Sequence, residues 1–147
     1  MIAKPTTEQL IEAVRTDLQT RVAPHVTDPT ASVALAMSIA VLGSAAVRSS
    51  HELGWMLEEA GAIRALARRL AERLPVDDSL ADDEPPVCDM TAVHARYTRA
   101  SELLAQLADA AYDADDSDAI AQVWALLEQR REHQNIVTGG YTAVGRA

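Results

Sequence analysis

Residues 30–47, TASVALAMSIAVLGSAAV, carry no charged side chain over eighteen positions, and they follow an Asp28-Pro29 pair. Asp before Pro reads as a helix start: the Asp side chain caps free backbone N–H groups, and Pro at the first helical position gives up an N–H that had no partner anyway. A helix apolar on every face must be surrounded by something. Its own chain, a second copy of the chain and a lipid bilayer are the three possibilities. As a helix the run is about 27 Å long, marginal for a bilayer of about 30 Å. It is rich in Ala, Ser and Gly rather than Leu, Ile and Phe, it has Asp28 upstream, and it lacks a flanking aromatic belt or basic cluster. No membrane span is therefore expected, and close contact with other helices is.

Working outward, Thr6 and Gln9 stand at capping-box spacing, and Leu10, Ile11, Val14, Leu18 and Val22 follow at helical intervals. This predicts a first helix over about 6–23, ended near Pro24. The second is the uncharged run, from 29 to about 47. Ser49 and Glu52 repeat the capping-box spacing and predict a break there. A third helix then runs to about Leu74, with Leu53, Met56, Leu57, Ala60, Ile63, Leu66, Ala67 and Leu70 on its apolar face. One continuous helix over 29–74 is the alternative. Gly43, Gly54 and Gly61 inside these helices point to close packing, since a helical Gly costs about 1 kcal/mol.

Residues 75–87, PVDDSLADDEPPV, hold five carboxylates and three prolines and read as a solvated loop over 75–88. A fourth helix over about 89–113 and a fifth over about 117–134 flank the Asp-rich turn DADDSD. Ile120, Val123, Trp124 and Leu127 are the expected buried face of the fifth. The end, NIVTGGYTAVGRA, has three glycines and no helical period, so residues 135–147 read as a Gly-rich tail, flexible or docked on a partner. The expected fold is all-α: a single domain over 1–134, built as an antiparallel bundle of about five helices with the apolar second helix at its centre.

Composition narrows the function. The chain is 48% hydrophobic but only 3% aromatic and has no Phe, so small aliphatic side chains must build its core. With 22 acidic against 13 basic residues its charge is −9, opposite in sign to a nucleic-acid footprint. Cys88 is the lone cysteine, which excludes an intrachain disulfide. The opening MIAKPTTEQL lacks the apolar core of a signal peptide, so a cytoplasmic protein is expected.

No metal or cofactor is expected. His51-Glu52 starts like HExxH, but Trp55 stands where the second His belongs. No Glu-x-x-His spacing for a di-iron bundle occurs. Asp113, Asp115 and Ser117 resemble the first ligands of a calcium loop, yet Asp118 replaces its Gly and Trp124 its bidentate Glu. Cys88 lacks an activating neighbour in sequence, and no catalytic residue emerges.

Arg64, Arg68, Arg69 and Arg73 line one side of the third predicted helix. They read either as a solvated face or as a site for a phosphate or acidic partner. His94 and Tyr97 share a face of the fourth predicted helix, beside Arg96. Arg64, Arg68, His94 and Tyr97 are thus the candidate ligand-binding groups, in a cleft between the third and fourth predicted helices that would take an acyl-CoA or nucleotide-like molecule.

The opening Lys4-Pro5-Thr6, followed by Leu10, Ala13-Val14-Arg15, Leu18, Val22 and Pro24, resembles the start of a small uncharacterised bacterial all-helical family. Its members tend to be encoded beside acyl-CoA dehydrogenases and aminoglycoside-phosphotransferase-like proteins. The likeness covers about the first 75 residues and is carried by a loose apolar pattern. It implies an accessory role and supplies no catalytic residues. The reading that follows is a non-enzymatic helical protein for interaction, a homodimer or accessory subunit of an enzyme. The alternative is a small-molecule binder or enzyme using the cleft.

Overall fold

A computed structural model describes residues 4–76 and 89–139. Among the described residues the chain is helical, without a strand. The helices are α1 (Thr7–Asp17), α2 (Pro29–Leu70), α3 (Met90–Asp113) and α4 (Ser117–Thr138). Between α1 and α2 the winding loosens into a π turn, Leu18–Val22, then tightens into a 3₁₀ turn, Ala23–His25.

The expected caps form. Gln9 N–H donates to Thr6 Oγ1 at 3.3 Å, and Thr6 N–H donates to Gln9 Oε1 at 3.0 Å. Asp28 Oδ1 accepts from Ala31 N–H at 2.8 Å. Asp89 caps α3 through Thr91 and Ala92, and Asp116 Oδ1 accepts from Ala119 N–H at 3.1 Å at the start of α4. The Asp-rich segment is therefore a turn and a cap. Asp115 takes the left-handed conformation (φ 49°) that Asp tolerates better than most residues.

The break predicted at Ser49 does not exist, and four helices stand where about five were expected. Ser49 and Ser50 hydroxyls donate back to Ala46 O, at 2.7 and 3.4 Å, instead of capping a new helix. Such back-bonding satisfies a hydroxyl without interrupting the backbone ladder. Arg48 and Glu52 also pair across the expected break at 3.0 Å.

Contacts group the chain into two units, residues 1–52 with 133–147, and residues 53–132. The second unit holds a packed core. Ile63, Leu66 and Leu70 of α2, with Val93, Leu103 and Leu107 of α3, are its largest fully buried side chains, and Ala119 and Val123 of α4 complete it.

Its helix directions follow from cross-helix bonds. Arg69 donates to Gln122 and Arg130 to Glu59, so α4 runs against α2. Tyr97 reaches Glu59, while Arg73, just past α2, pairs with Asp116 and Asp118, just past α3. Within this unit α2 and α3 therefore run the same way, and the all-antiparallel expectation is corrected. Between Leu70 and Met90 lie nineteen residues, about 63 Å of reach when extended. That is enough to return along the roughly 36 Å of a 24-residue helix.

The first unit is different. Among its described residues only Ser44, Ala46 and Val137 are buried, and Ser44 Oγ donates to Val137 O at 3.0 Å. The run expected at the centre of a bundle instead has 11% of its apolar window buried. α4 continues to Thr138, past the expected end near 134, because Val137 docks against α2 in this way. Of the expected tail, residues 140–147 lie outside the described residues, as do 77–88 of the acidic loop and Cys88 with it.

The glycines do not all serve packing. A Cβ at Gly43 would lie 3.6 Å from the Arg15 side chain, whereas at Gly54 and Gly61 it would meet nothing within 4 Å. Gly54→Ala and Gly61→Ala should therefore each raise stability by about 0.5–1 kcal/mol, read as a higher urea midpoint. A lower midpoint would mean that something beyond the described residues fills that space.

Candidate functional site

The residues proposed for a cleft differ in their burial. Arg64 is buried at 5% exposure, whereas Arg68 and His94 are exposed. Both arginines take part in interactions of their own. The rest of the arginine stripe is also engaged: Arg69 Nη2 donates to Gln122 Oε1 at 3.1 Å, and Arg73 bonds Asp118 Oδ2 at 3.1 Å as well as Asp116. The half-exposed Arg73 guanidinium has its pKa raised, first by the hydrogen bond to Asp118. Asp116 is held below the usual carboxylate range, first by the Ala119 N–H and then by Arg73.

Tyr97 belongs to a polar cluster inside the second unit. Its hydroxyl donates to Glu59 Oε2 at 3.0 Å, and Arg130 donates to the other oxygen of the same carboxylate. Arg130 Nη2 also donates to Ser101 Oγ at 3.0 Å, and the guanidinium lies 5.3 Å from the Tyr97 ring centroid. Glu59 is 3% exposed, so the cluster is closed on its carboxylate side. Desolvation, then the Glu59 charge, pushes the Tyr97 hydroxyl above its ordinary 10.0. Sequence reading missed Glu59 and Arg130, 71 positions apart. One signal was available: Glu59 interrupts the apolar series Met56, Ala60, Ile63.

Three shallow depressions flank these helices. One of about 380 Å³ is lined by Val41, Ser44, Arg48, Gln134 and Val137, and one of about 250 Å³ by Ala62, Leu66, Arg69, Gln122 and Leu126. The third, about 490 Å³, lies over Pro29, Thr30, Val33, Ala34 and Met37. None is lined by Arg64, Arg68, His94 or Tyr97. Among the described residues no group of three or more His, Cys, Asp or Glu is placed to hold a metal ion.

The exposed apolar surface is the more unusual feature. Val33, Met37 and Val41, at successive four-residue steps along α2, are 52%, 58% and 51% exposed. On α1, Leu10 and Val14 are 54% and 52% exposed. Side chains four apart stand on one face of a helix, so the α2 trio forms a stripe that no charge interrupts. The apolar window within Pro29–Leu70 has mean hydropathy 1.9, which meets the length and composition of a membrane span. No family model, curated protein or solved structure was found to match this chain.

Proposed function

We propose that the chain is a non-enzymatic interaction protein of the cytoplasm whose uncharged α2 face is covered by a second copy of itself. The observation that carries this reading is the half-exposed Val33, Met37 and Val41 stripe in a unit whose described residues bury only Ser44, Ala46 and Val137. A charge-free face is self-complementary: apposing it with its copy about a two-fold axis brings no like charges together, although each chain carries −9. Burying the rest of each side chain contributes about 1 kcal/mol, so the six across such an axis supply about 6 kcal/mol. Association itself costs about 4–15 kcal/mol. The stripe alone makes a weak dimer, and the flanking Ala residues with Leu10 and Val14 add to it.

A protein surface suits this face better than lipid. Ser38 and Ser44 interrupt the run, Asp28 begins it, and Arg48 and Glu52 follow it directly. The cleft reading loses its support, because Tyr97 is committed to Glu59 and Arg64 is buried. The family resemblance of the opening residues makes an enzyme the alternative partner for the same face.

Sedimentation equilibrium on the full chain tests the proposal. The expected mass rises with concentration from 15.8 kDa toward twice that value. Met37→Asp, at a 58% exposed position, should return it to monomer with the helical content unchanged. A monomer at millimolar concentration sinks the proposal, and flotation of that monomer with neutral lipid vesicles would assign the face to a membrane.

A further inference from the structure

On the second unit an aromatic pair stands on the surface. Trp124 of α4 and Tyr112 of α3 are each 57% exposed, although Trp124 was expected on the buried face of its helix. Val123 of the same expected face is in the core, with Ile120 and Leu127 packed against it. The Trp124 indole N–H donates to the Tyr112 hydroxyl oxygen at 3.0 Å, joining the two rings across the helices. The sequence has two Trp, three Tyr and no Phe, so two of its five aromatic side chains are spent here in solvent.

The pair is set among carboxylates. Asp109 lies one helical turn before Tyr112 and shares its face; Asp113 follows Tyr112 directly, on the adjoining flank of the helix one turn beyond Asp109, and both acids are exposed. Glu128 lies one turn beyond Trp124 and is paired with Arg131.

The same unit shows what such a set receives. Arg130 lies 5.3 Å from the Tyr97 centroid and bonds the Glu59 carboxylate: a guanidinium on an aromatic face, closed by an acid. The surface pair offers aromatic faces and acids in the open, and Arg131, two turns beyond Trp124, is paired with Glu128. We propose that Tyr112 and Trp124, with Asp109 and Asp113, dock an arginine-bearing segment of a partner protein. Trp is the strongest aromatic cation acceptor, and Trp, Tyr and Arg dominate binding hot spots. The indole–hydroxyl bond holds both rings before binding, which reduces the ordering cost. The acids exclude nucleic acid and anionic lipid by charge.

The test uses the full chain and a capped hexa-arginine peptide at low ionic strength, followed by calorimetry and tryptophan fluorescence, with a hexa-glutamate peptide as control. The expected result is saturable binding of hexa-arginine alone. Trp124→Ala should weaken it by about tenfold and the double change Asp109→Asn, Asp113→Asn by a similar factor. All three positions are exposed, and circular dichroism verifies that the variants stay helical. Equal affinity in Trp124→Ala overturns the proposal, because acidic residues elsewhere would then suffice. No binding to the wild-type chain overturns it too. So does a fall in the sedimentation mass of Trp124→Ala, which would make the rings a self-contact. Met37→Asp should leave peptide affinity unchanged, so this surface and the α2 stripe fail or survive separately.

Discussion

Leu103→Ala is expected to lower the unfolding free energy by about 2–5 kcal/mol, through lost transfer energy and the cavity left behind. Leu103 is 0% exposed on α3, among Ile63, Leu66, Leu70 and Leu107, which are also within 1% of full burial. Such a core has no open side toward which neighbours could relax. A domain of this size is stable by about 5–15 kcal/mol in total, so one truncation removes a sizeable share. Leu10→Ala removes the same atoms from a side chain that is 54% exposed and should cost well under half as much. Urea denaturation followed by circular dichroism measures both. If residues 53–132 unfold as their own transition, Leu103→Ala shifts that transition and leaves any other in place. A loss below about 1 kcal/mol at Leu103 would contradict the packing described.

The contrast between these leucines marks where the sequence was legible. Of the apolar face expected from Leu53 to Leu74, Ala60, Ile63, Leu66, Ala67, Leu70 and Leu74 are buried, Met56 and Leu57 are half-buried, and Leu53 is 40% exposed. Capping was legible for the same reason: Thr6 with Gln9, and Asp28 before Pro29, act within one turn of backbone. Leu10 and Val14 show the limit. Their spacing defines an apolar face equally well, yet periodicity says which side chains point together and not whether anything meets them. The uncharged run is the extreme case, apolar on every face, with only 11% of its window buried in the single chain. Its period therefore held no information about which face is covered.

Ser49 failed differently. A serine followed by an acid three residues on fits a helix start, but the same hydroxyl also bonds Ala46 O inside a continuing helix, and local sequence does not separate the two. Helix direction was misread because a nineteen-residue connection, 71–89, spans a return as readily as a turn. Of the candidate site residues, Tyr97 was placed by its own helix face alone, whereas its partners come from α2 and α4. Arg64 and Arg68, one turn apart, divide into a buried and an exposed side chain. A stripe of charges drawn along one side of a helix does not reveal that difference.

Glu59→Ala is the second substitution with a large expected effect, a loss of about 3–5 kcal/mol, because it leaves the Arg130 guanidinium and the Tyr97 hydroxyl without their acceptor. Arg130 is 32% exposed at its side chain and Glu59 only 4%, so water reaches the cation more readily than the anion. The reverse deletion, Arg130→Met, strands a buried carboxylate and should cost at least as much. Replacing Glu59, Tyr97 and Arg130 together by Leu, Phe and Met should cost far less than the sum of the single changes, since no polar group is then left without a partner. The Tyr97 titration separates this network from simple packing. Its folded pKa is raised above 10.0, so its share of stability is complete below 10.0 and is lost as pH climbs through the raised value. In Glu59→Gln the carboxylate charge that disfavours tyrosinate is gone while Arg130, which favours it, remains. Tyr97 should then ionise at lower pH, visible in the ultraviolet absorbance of tyrosinate. An unchanged titration would place the Tyr97 shift in burial alone. It would then leave Glu59 joined to Arg130 without control over the ring between them.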